Sequence, residues 1–195
     1  MEADCYISVD VEADGPIPGP YSMLSFGLVV AGTFDGTTFA PADLDAPETF
    51  YRELRPISDT FDAGALAVSG LDRDHLLDAG AAPAAAMTEA AAWVHSVAGD
   101  CQPVLVAYPL SYDWMWLHWY FVRFAERGSP FGVSQCLDIK TLIATTLGTT
   151  TRRAGKGALP PELRSDRPHR HHALDDAIEQ ADLFARLLRH RLRSC

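Results

Sequence analysis

An α/β domain built around a mixed sheet is the fold class this sequence predicts, and three features predict it. Strand-like segments come first and are followed by helix, strand and helix in turn, the order of a sheet layered with helices. Residues 5–12 alternate with period two, Ile7, Val9 and Val11 against Ser8, Asp10 and Glu12, as a half-buried strand does. Residues 173–193 place Leu174, Ile178, Ala181, Phe184, Ala185 and Leu188 on one helical stripe. The 195 residues are read as a single domain, 1–195, because no repeat, linker or low-complexity segment divides them.

Each element has its own signal. The first strand runs into residues 13–21, where Gly15-Pro16, Pro18 and Gly19-Pro20 make a rigid turn-forming connection. Residues 22–31 and 49–54 read as the second and third strands, which gives an antiparallel meander. Residues 62–69 form a short helix, and the alanine-rich stretch 83–98 a longer one with Pro83 in its first turn, where a missing N–H costs nothing. Val104-Leu105-Val106-Ala107 is a short apolar run of the kind that forms a strand buried on both faces. The helix at 111–127 carries Trp114, Trp116, Trp119, Tyr120, Phe121 and Phe124, an apolar surface wider than one buried stripe. Such a helix is deeply buried or docked on another subunit, and a homodimer through residues 113–125 is the expectation. A further helix at 137–147 stops at Gly148, and 149–170 is a polar loop.

Composition excludes several classes. Hydrophobic residues make up 48% and charged residues 22%, ordinary for a soluble globular protein, and no apolar run is long enough to span a bilayer. Cys5, Cys101, Cys136 and Cys195 are scattered without paired spacing, which reads as reduced thiols rather than a disulfide framework or a zinc site. With no basic and apolar leader at Met1-Glu2-Ala3-Asp4, a cytoplasmic protein is expected. The net charge of −10 argues against a broad face for duplex DNA. The charge is uneven, however. Residues 149–172 hold Arg152, Arg153, Lys156, Arg164, Arg167 and Arg170 against Glu162 and Asp166, a local +4 that leaves −14 elsewhere. One basic loop on an acidic body suits a short single-stranded end held at one place, although a merely solvated loop has the same composition.

Three acidic segments carry the chemistry. Asp10 and Glu12 sit at i and i+2 of a strand, so their carboxylates leave the same face and repel unless a hard cation lies between them. Asp113 opens the helix that follows the 104–107 strand. Asp176 lies one turn into the last helix, which His171 precedes. Taken singly, each acid also reads as a solvated strand end, a cap or a helix-dipole residue. As an ordered set with a histidine able to deprotonate water, they are what two-metal phosphodiester hydrolysis requires.

The same residues resemble the motifs of the DEDD superfamily of 3′–5′ exonucleases, in its DnaQ-like, histidine-containing (DEDDh) branch. Asp10-Val11-Glu12 matches the first motif, D-x-E. Asp113, in Tyr108-Pro109-Leu110-Ser111-Tyr112-Asp113, matches the second. His171-His172-Ala173-Leu174-Asp175-Asp176-Ala177 matches H-x-A-x-x-D-A and selects His171 over His172 and Asp176 over Asp175. Val68-Ser69-Gly70-Leu71 stands where the family has its HGI-like segment, and Asp138-Ile139-Lys140-Thr141-Leu142 resembles the segment ahead of the third motif. The likeness spans residues 5–188.

This resemblance implies a ribonuclease H-like fold with a five-stranded mixed sheet flanked by helices. It implies two divalent cations, Mg²⁺ or Mn²⁺, held by Asp10, Glu12, Asp113 and Asp176, with His171 as the base. It also implies a 3′–5′ exonuclease that acts on single-stranded RNA or DNA ends or short oligonucleotides, RNA slightly favoured, and releases nucleoside 5′-monophosphates. Tyr108-Pro109-Leu110 replace the His-Asn-Ala frequent in the second motif, which removes an asparagine contact to substrate. Candidate substrate residues are Met23, Leu24 and Tyr112, against the terminal bases, and Arg152, Arg153, Lys156 and Arg170, against phosphates. Leu24 and Phe26 also read as strand core. A catalytically silent ribonuclease H-like nucleic-acid-binding module is the alternative, and a convergent nucleotide phosphatase is a more distant one.

Overall fold

In the computed structural model, which describes residues 3–193, the alternating run becomes β1 (Asp4–Ala13), the middle strand of the sheet. β1 pairs antiparallel with β2 (Met23–Phe34) on one side and parallel with β5 (Gln102–Ala107) on the other, and β5 runs parallel to β6 (Cys136–Asp138). At 12 residues, β2 is long enough to hold two strands end to end on its outer edge. β3 (Phe39–Pro41) lies along Gly32–Phe34 and β4 (Thr49–Glu53) along Ser25–Val29. The sheet is therefore six strands by count and five strands wide, as the resemblance implies.

Both faces of the sheet are covered, which the alternation of β1 does not reveal. Cys5, Ile7, Val9 and Val11 pack with α3 (Pro83–Ala98) and α4 (Leu110–Phe124) in one core. Tyr6 joins Val29, Ala31, Val104 and Val106 in a second core, shared with α5 (Ile139–Thr146) and α6 (Ala173–Arg193). Tyr6 and Ser8 on the polar face are thus buried as well. Beyond Ser8 that face opens towards solvent at Asp10 and Glu12.

The breadth of the aromatic helix is used within the chain. Trp116, Leu117, Tyr120 and Phe121 of α4 are fully buried, and Trp114, Met115, Trp119 and Phe124 pack half-buried on the same core. The Tyr120 hydroxyl accepts the Met23 N–H at 2.7 Å, which anchors α4 to the start of β2. Val122 is the one strongly exposed apolar residue of this helix, so packing within the chain uses most of its breadth.

Two short helices complete the frame. α1 (Ala63–Ser69) follows Asp62, whose Oδ1 accepts the Ala65 N–H at 2.7 Å, and ends at Gly70 with φ +66°. α2 (Arg73–Ala79) starts after Asp72 in the same way, with the His75 N–H at 3.1 Å. The proline-rich connection is organised by the fully buried Asp14. Its Oδ1 accepts the Ser22 N–H at 2.6 Å, its Oδ2 lies 2.9 Å from Arg73 Nε, and its carbonyl accepts the Asp62 N–H at 2.7 Å. One buried ion pair thus fixes the exit of β1 and the approach to α1 together.

The loop 149–170 is a series of 3₁₀ turns rather than free coil, pinned by buried Ala154, Leu159 and Leu163. Its cations mostly serve this packing. Arg164 donates to the carbonyls of Leu159 and Gly157, and Arg167 to the carbonyl of Leu44 and to Asp45. Cys5, Cys101 and Cys136 are unpaired thiols, and Cys195 lies outside the described residues. Among the described residues no helix is long and apolar enough to cross a membrane.

Candidate active site

The site forms where α6 lands on the sheet. Asp10 pairs across β1 and β2 with Gly27. A Cβ on Gly27 would lie 2.6 Å from the Ala173 carbonyl oxygen and 2.6 Å from the Leu174 Cα, so a side chain there would lift the first turn of α6 off the sheet. With glycine, the helix start rests on β2 beside Asp10, and Asp176 comes down over the first motif. One ligand oxygen each from Asp10, Glu12 and Asp176 lies within 4.8 Å of the others.

Three of the four carboxylates are held in distinct ways. Asp176, 1% exposed, accepts the Arg170 N–H at Oδ1 and the His171 N–H at Oδ2, both at 2.8 Å. Those two bonds hold His171 at φ +54°, a left-handed conformation that is uncommon outside glycine. Asp113 is 2% exposed, and its Oδ1 accepts the N–H of Val11 at 3.1 Å, the residue between Asp10 and Glu12. The second motif is thereby tied directly to the first. Asp10 Oδ1 accepts from Gln180 Nε2 at 2.7 Å.

Crowded and shielded from water, Asp10, Glu12 and Asp113 hold their protons tightly. Burial pushes the Asp113 carboxyl up to about 8, with Glu12 adding to it against the opposing Val11 N–H. Burial and then Asp176 push Glu12 up to about 7. Asp10 is raised well above the usual carboxylate range by burial and then by Asp113, Glu12 and Asp176, while Lys156 opposes the shift. The donor set is all oxygen and carries more negative charge than Lys156 offsets, which is what a hard divalent cation fits.

A stability consequence follows. Unfolded carboxylates titrate near about 4, so between there and about 8 the folded protein binds protons that the unfolded chain does not. That contribution is complete below about 4 and is lost as the pH rises through the folded values. In EDTA, the melting temperature is expected to fall between about pH 6 and about pH 8.5, and added Mn²⁺ to raise it more at the higher pH. A melting temperature in EDTA that rises over this interval would contradict the picture of four mutually repelling acids.

Asp10, Glu12, Asp113, Asp176 and His171 all line one cleft of about 270 Å³, with Ala65 and Val68 of α1, Tyr108, Pro109, Tyr112 and His169. A larger cavity of about 620 Å³ opens at the opposite ends of the strands, around Asp4, Gln102 and Cys136, and contains none of the four acids. Tyr112 stands at the cleft as expected. Met23 and Leu24 do not: both are 0% exposed, since β2 is covered on both faces, and neither reaches a substrate surface. Lys156 is turned inward, paired with Glu179 and 5.0 Å from the Tyr108 ring, instead of facing solvent phosphates. Arg152 and Arg153 are exposed on the outer turn of the loop, and Arg170 lies 4.0 Å from Asp175; none of the three lines the cleft.

Two residues in contact with the acids escape a reading of the sequence. His169 Nδ1 sits 3.1 Å from Asp176 Oδ2, and its ring meets that of His171 at 4.6 Å. Gln180 lies four residues after Asp176, and a polar side chain amid Ala177, Ala181 and Phe184 is the signal that could have marked it.

No family model matches the chain. It is 34% identical over 184 residues, 94% of its length and 91% of the relative's, to the 3′–5′ DNA exonuclease Cap18 of Escherichia coli. The chain belongs to the DEDDh 3′–5′ exonuclease family. The fold of this exonuclease is similar to that of the nuclease domain of 3′hExo, a DEDDh family member bound to rAMP, with a TM-score of 0.68, 16% identity and coverage of 97% of this chain and 92% of that one. It is also similar to E. coli exonuclease I in complex with a dT13 oligonucleotide, with a TM-score of 0.64 and 16% identity. There the whole chain is covered but only 42% of exonuclease I, and the chain likewise spans 64% of a 3′-exonuclease that recognises a histone mRNA stem-loop.

Proposed function

We propose that this exonuclease shortens single-stranded DNA from the 3′ end and releases nucleoside 5′-monophosphates, using two Mg²⁺ or Mn²⁺ ions held by Asp10, Glu12, Asp113 and Asp176. The observation that carries the metal reading is the trio of carboxylate oxygens from Asp10, Glu12 and Asp176 within 4.8 Å, beside His171 in an open cleft. The sequence alone leans towards RNA. DNA is preferred here because the 34%-identical relative is a DNA exonuclease, and a neighbour of the same fold holds dT13.

When bound, the cations supply charge stabilisation to the attacking and leaving oxygens of the phosphodiester. The chain supplies the remainder. His171, exposed at the cleft, takes the proton of the attacking water. Tyr112, Pro109 and Val68 present an apolar wall for the terminal nucleotide, and a flat ring serves any base. The hydrogen bonds from Val11, Arg170 and His171 keep the acids in place, so they need not reorganise as substrate arrives.

The test is a time course with Mn²⁺ on matched 5′-labelled single-stranded DNA and RNA, with EDTA and Asp10→Ala as controls. A metal-dependent ladder shortening from the 3′ end, faster on DNA and absent in the variant, is expected. A faster RNA ladder would reverse the sugar preference, and no ladder on either strand would return the silent binding module.

A further inference from the structure

Asp113 and Asp176 are anchored by backbone N–H groups, whereas Asp10 takes its bond from a side chain on a different element. Gln180 is 1% exposed on α6, one turn beyond Asp176 and on the same helix face. Its Nε2 donates to Asp10 Oδ1 at 2.7 Å, and its Oε1 accepts the Tyr108 N–H at 2.8 Å, at the end of β5 just before the second motif. The second bond decides the orientation of the amide: the oxygen can only face the Tyr108 N–H, so the NH₂ faces the carboxylate. One buried amide therefore joins β1, β5 and α6, the elements that carry all three motifs or lead into them.

We infer that Gln180 is a positioning residue of the metal centre, fixing the Asp10 carboxylate by one oxygen so that the other is presented to a cation. This rests on the proposed metal role of Asp10. An isolated carboxylate at the end of a strand can rotate about two side-chain torsions, and among three other acids it would turn away from them. The donated hydrogen bond removes that freedom before any ion arrives. Partners of this kind orient a ligand without touching the metal, and losing one typically weakens metal binding by about 10- to 100-fold.

Gln180→Met keeps the length and unbranched shape and removes both hydrogen bonds. Gln180→Glu keeps an acceptor for Tyr108 and removes the donor to Asp10. Calorimetric titration with Mn²⁺, in the absence of DNA, is expected to show Kd raised about 10- to 100-fold in both variants. Steady-state assays should show the half-saturating Mn²⁺ concentration rising in parallel, with kcat largely recovered at saturating Mn²⁺. A core-filling amide would instead lower the melting temperature and leave Mn²⁺ affinity unchanged. Wild-type affinity in Gln180→Met overturns the inference, as does wild-type affinity confined to Gln180→Glu, which would credit the Tyr108 bond instead. Asp10→Ala separates the two levels: if it binds Mn²⁺ like wild type, the metal role of Asp10 fails, and if it loses the ion while both Gln180 variants keep it, only the inference fails.

Discussion

Asp113→Asn is expected to abolish metal-dependent 3′–5′ hydrolysis, by about 10³-fold or more, while leaving a folded protein at least as stable as wild type in EDTA. The two halves of this result come from one fact, the burial of a carboxylate whose proton is held up to about 8. In the metal-free protein the charge is a liability, since it is desolvated and faces Glu12 and Asp10. Replacing it with a neutral amide of the same shape relieves that repulsion and retains an oxygen to accept the Val11 N–H. In the proposed metal-loaded protein the same charge would be a ligand, and charge stabilisation by a catalytic ion is worth several kcal/mol, each 1.36 kcal/mol being about tenfold in rate. Asp113→Ala should be equally inactive but less stable, because it strands the Val11 N–H at a cost of about 1–3 kcal/mol. Ladder assays in Mn²⁺ and melting curves in EDTA on the same preparations check both halves. An active Asp113→Asn protein would show that Asp113 only fastens the first motif and holds no metal.

The sequence disclosed those parts of the site whose chemistry is local. Asp10 and Glu12 share a face because strand geometry demands it, and Asp176 follows His171 at a spacing a helix start sets, so motif order singles out the pair that lines the cleft from neighbours Asp175 and His172, which do not. Parts that depend on long-range contact were silent. Gly27 matters because α6, about 150 residues later in the chain, rests on it, and Gln180 matters because it reaches β1 and β5 at once. β3 and β6, three residues each, are too short to show periodicity, and β6 was absorbed into the helix that follows it. Met23, Leu24 and Lys156 do not line the cleft, for a common reason. Residue type says what a side chain can bind, but Leu24 faces the interior of a doubly covered sheet and Lys156 had already found Glu179.

The adjacent histidines should separate cleanly by experiment. His171→Asn is expected to lower kcat by about 10²-fold or more with melting temperature near wild type, and His172→Ala to lower the melting temperature with kcat largely kept. His171 lines the cleft, whereas His172 is turned the other way, its ring 4.9 Å from that of Tyr51. His172 Nδ1 accepts the Asp175 N–H at 3.4 Å and its carbonyl accepts the Asp176 N–H at 3.0 Å, the two bonds of a helix N-cap. Losing the side-chain bond costs about 0.5–2 kcal/mol of helix stability and touches no reacting atom. Asparagine is the better probe at 171, because it tolerates φ +54° nearly as well as histidine, whereas alanine would confound a lost base with backbone strain. His171 N–H also holds Asp176, a backbone bond that asparagine makes equally well, so His171→Asn removes the imidazole while keeping Asp176 anchored. The decisive reading is therefore kcat at saturating Mn²⁺. If it stays at the wild-type value in His171→Asn and collapses in His172→Ala, the base sits one residue later and α6 must unwind its first turn to deliver it.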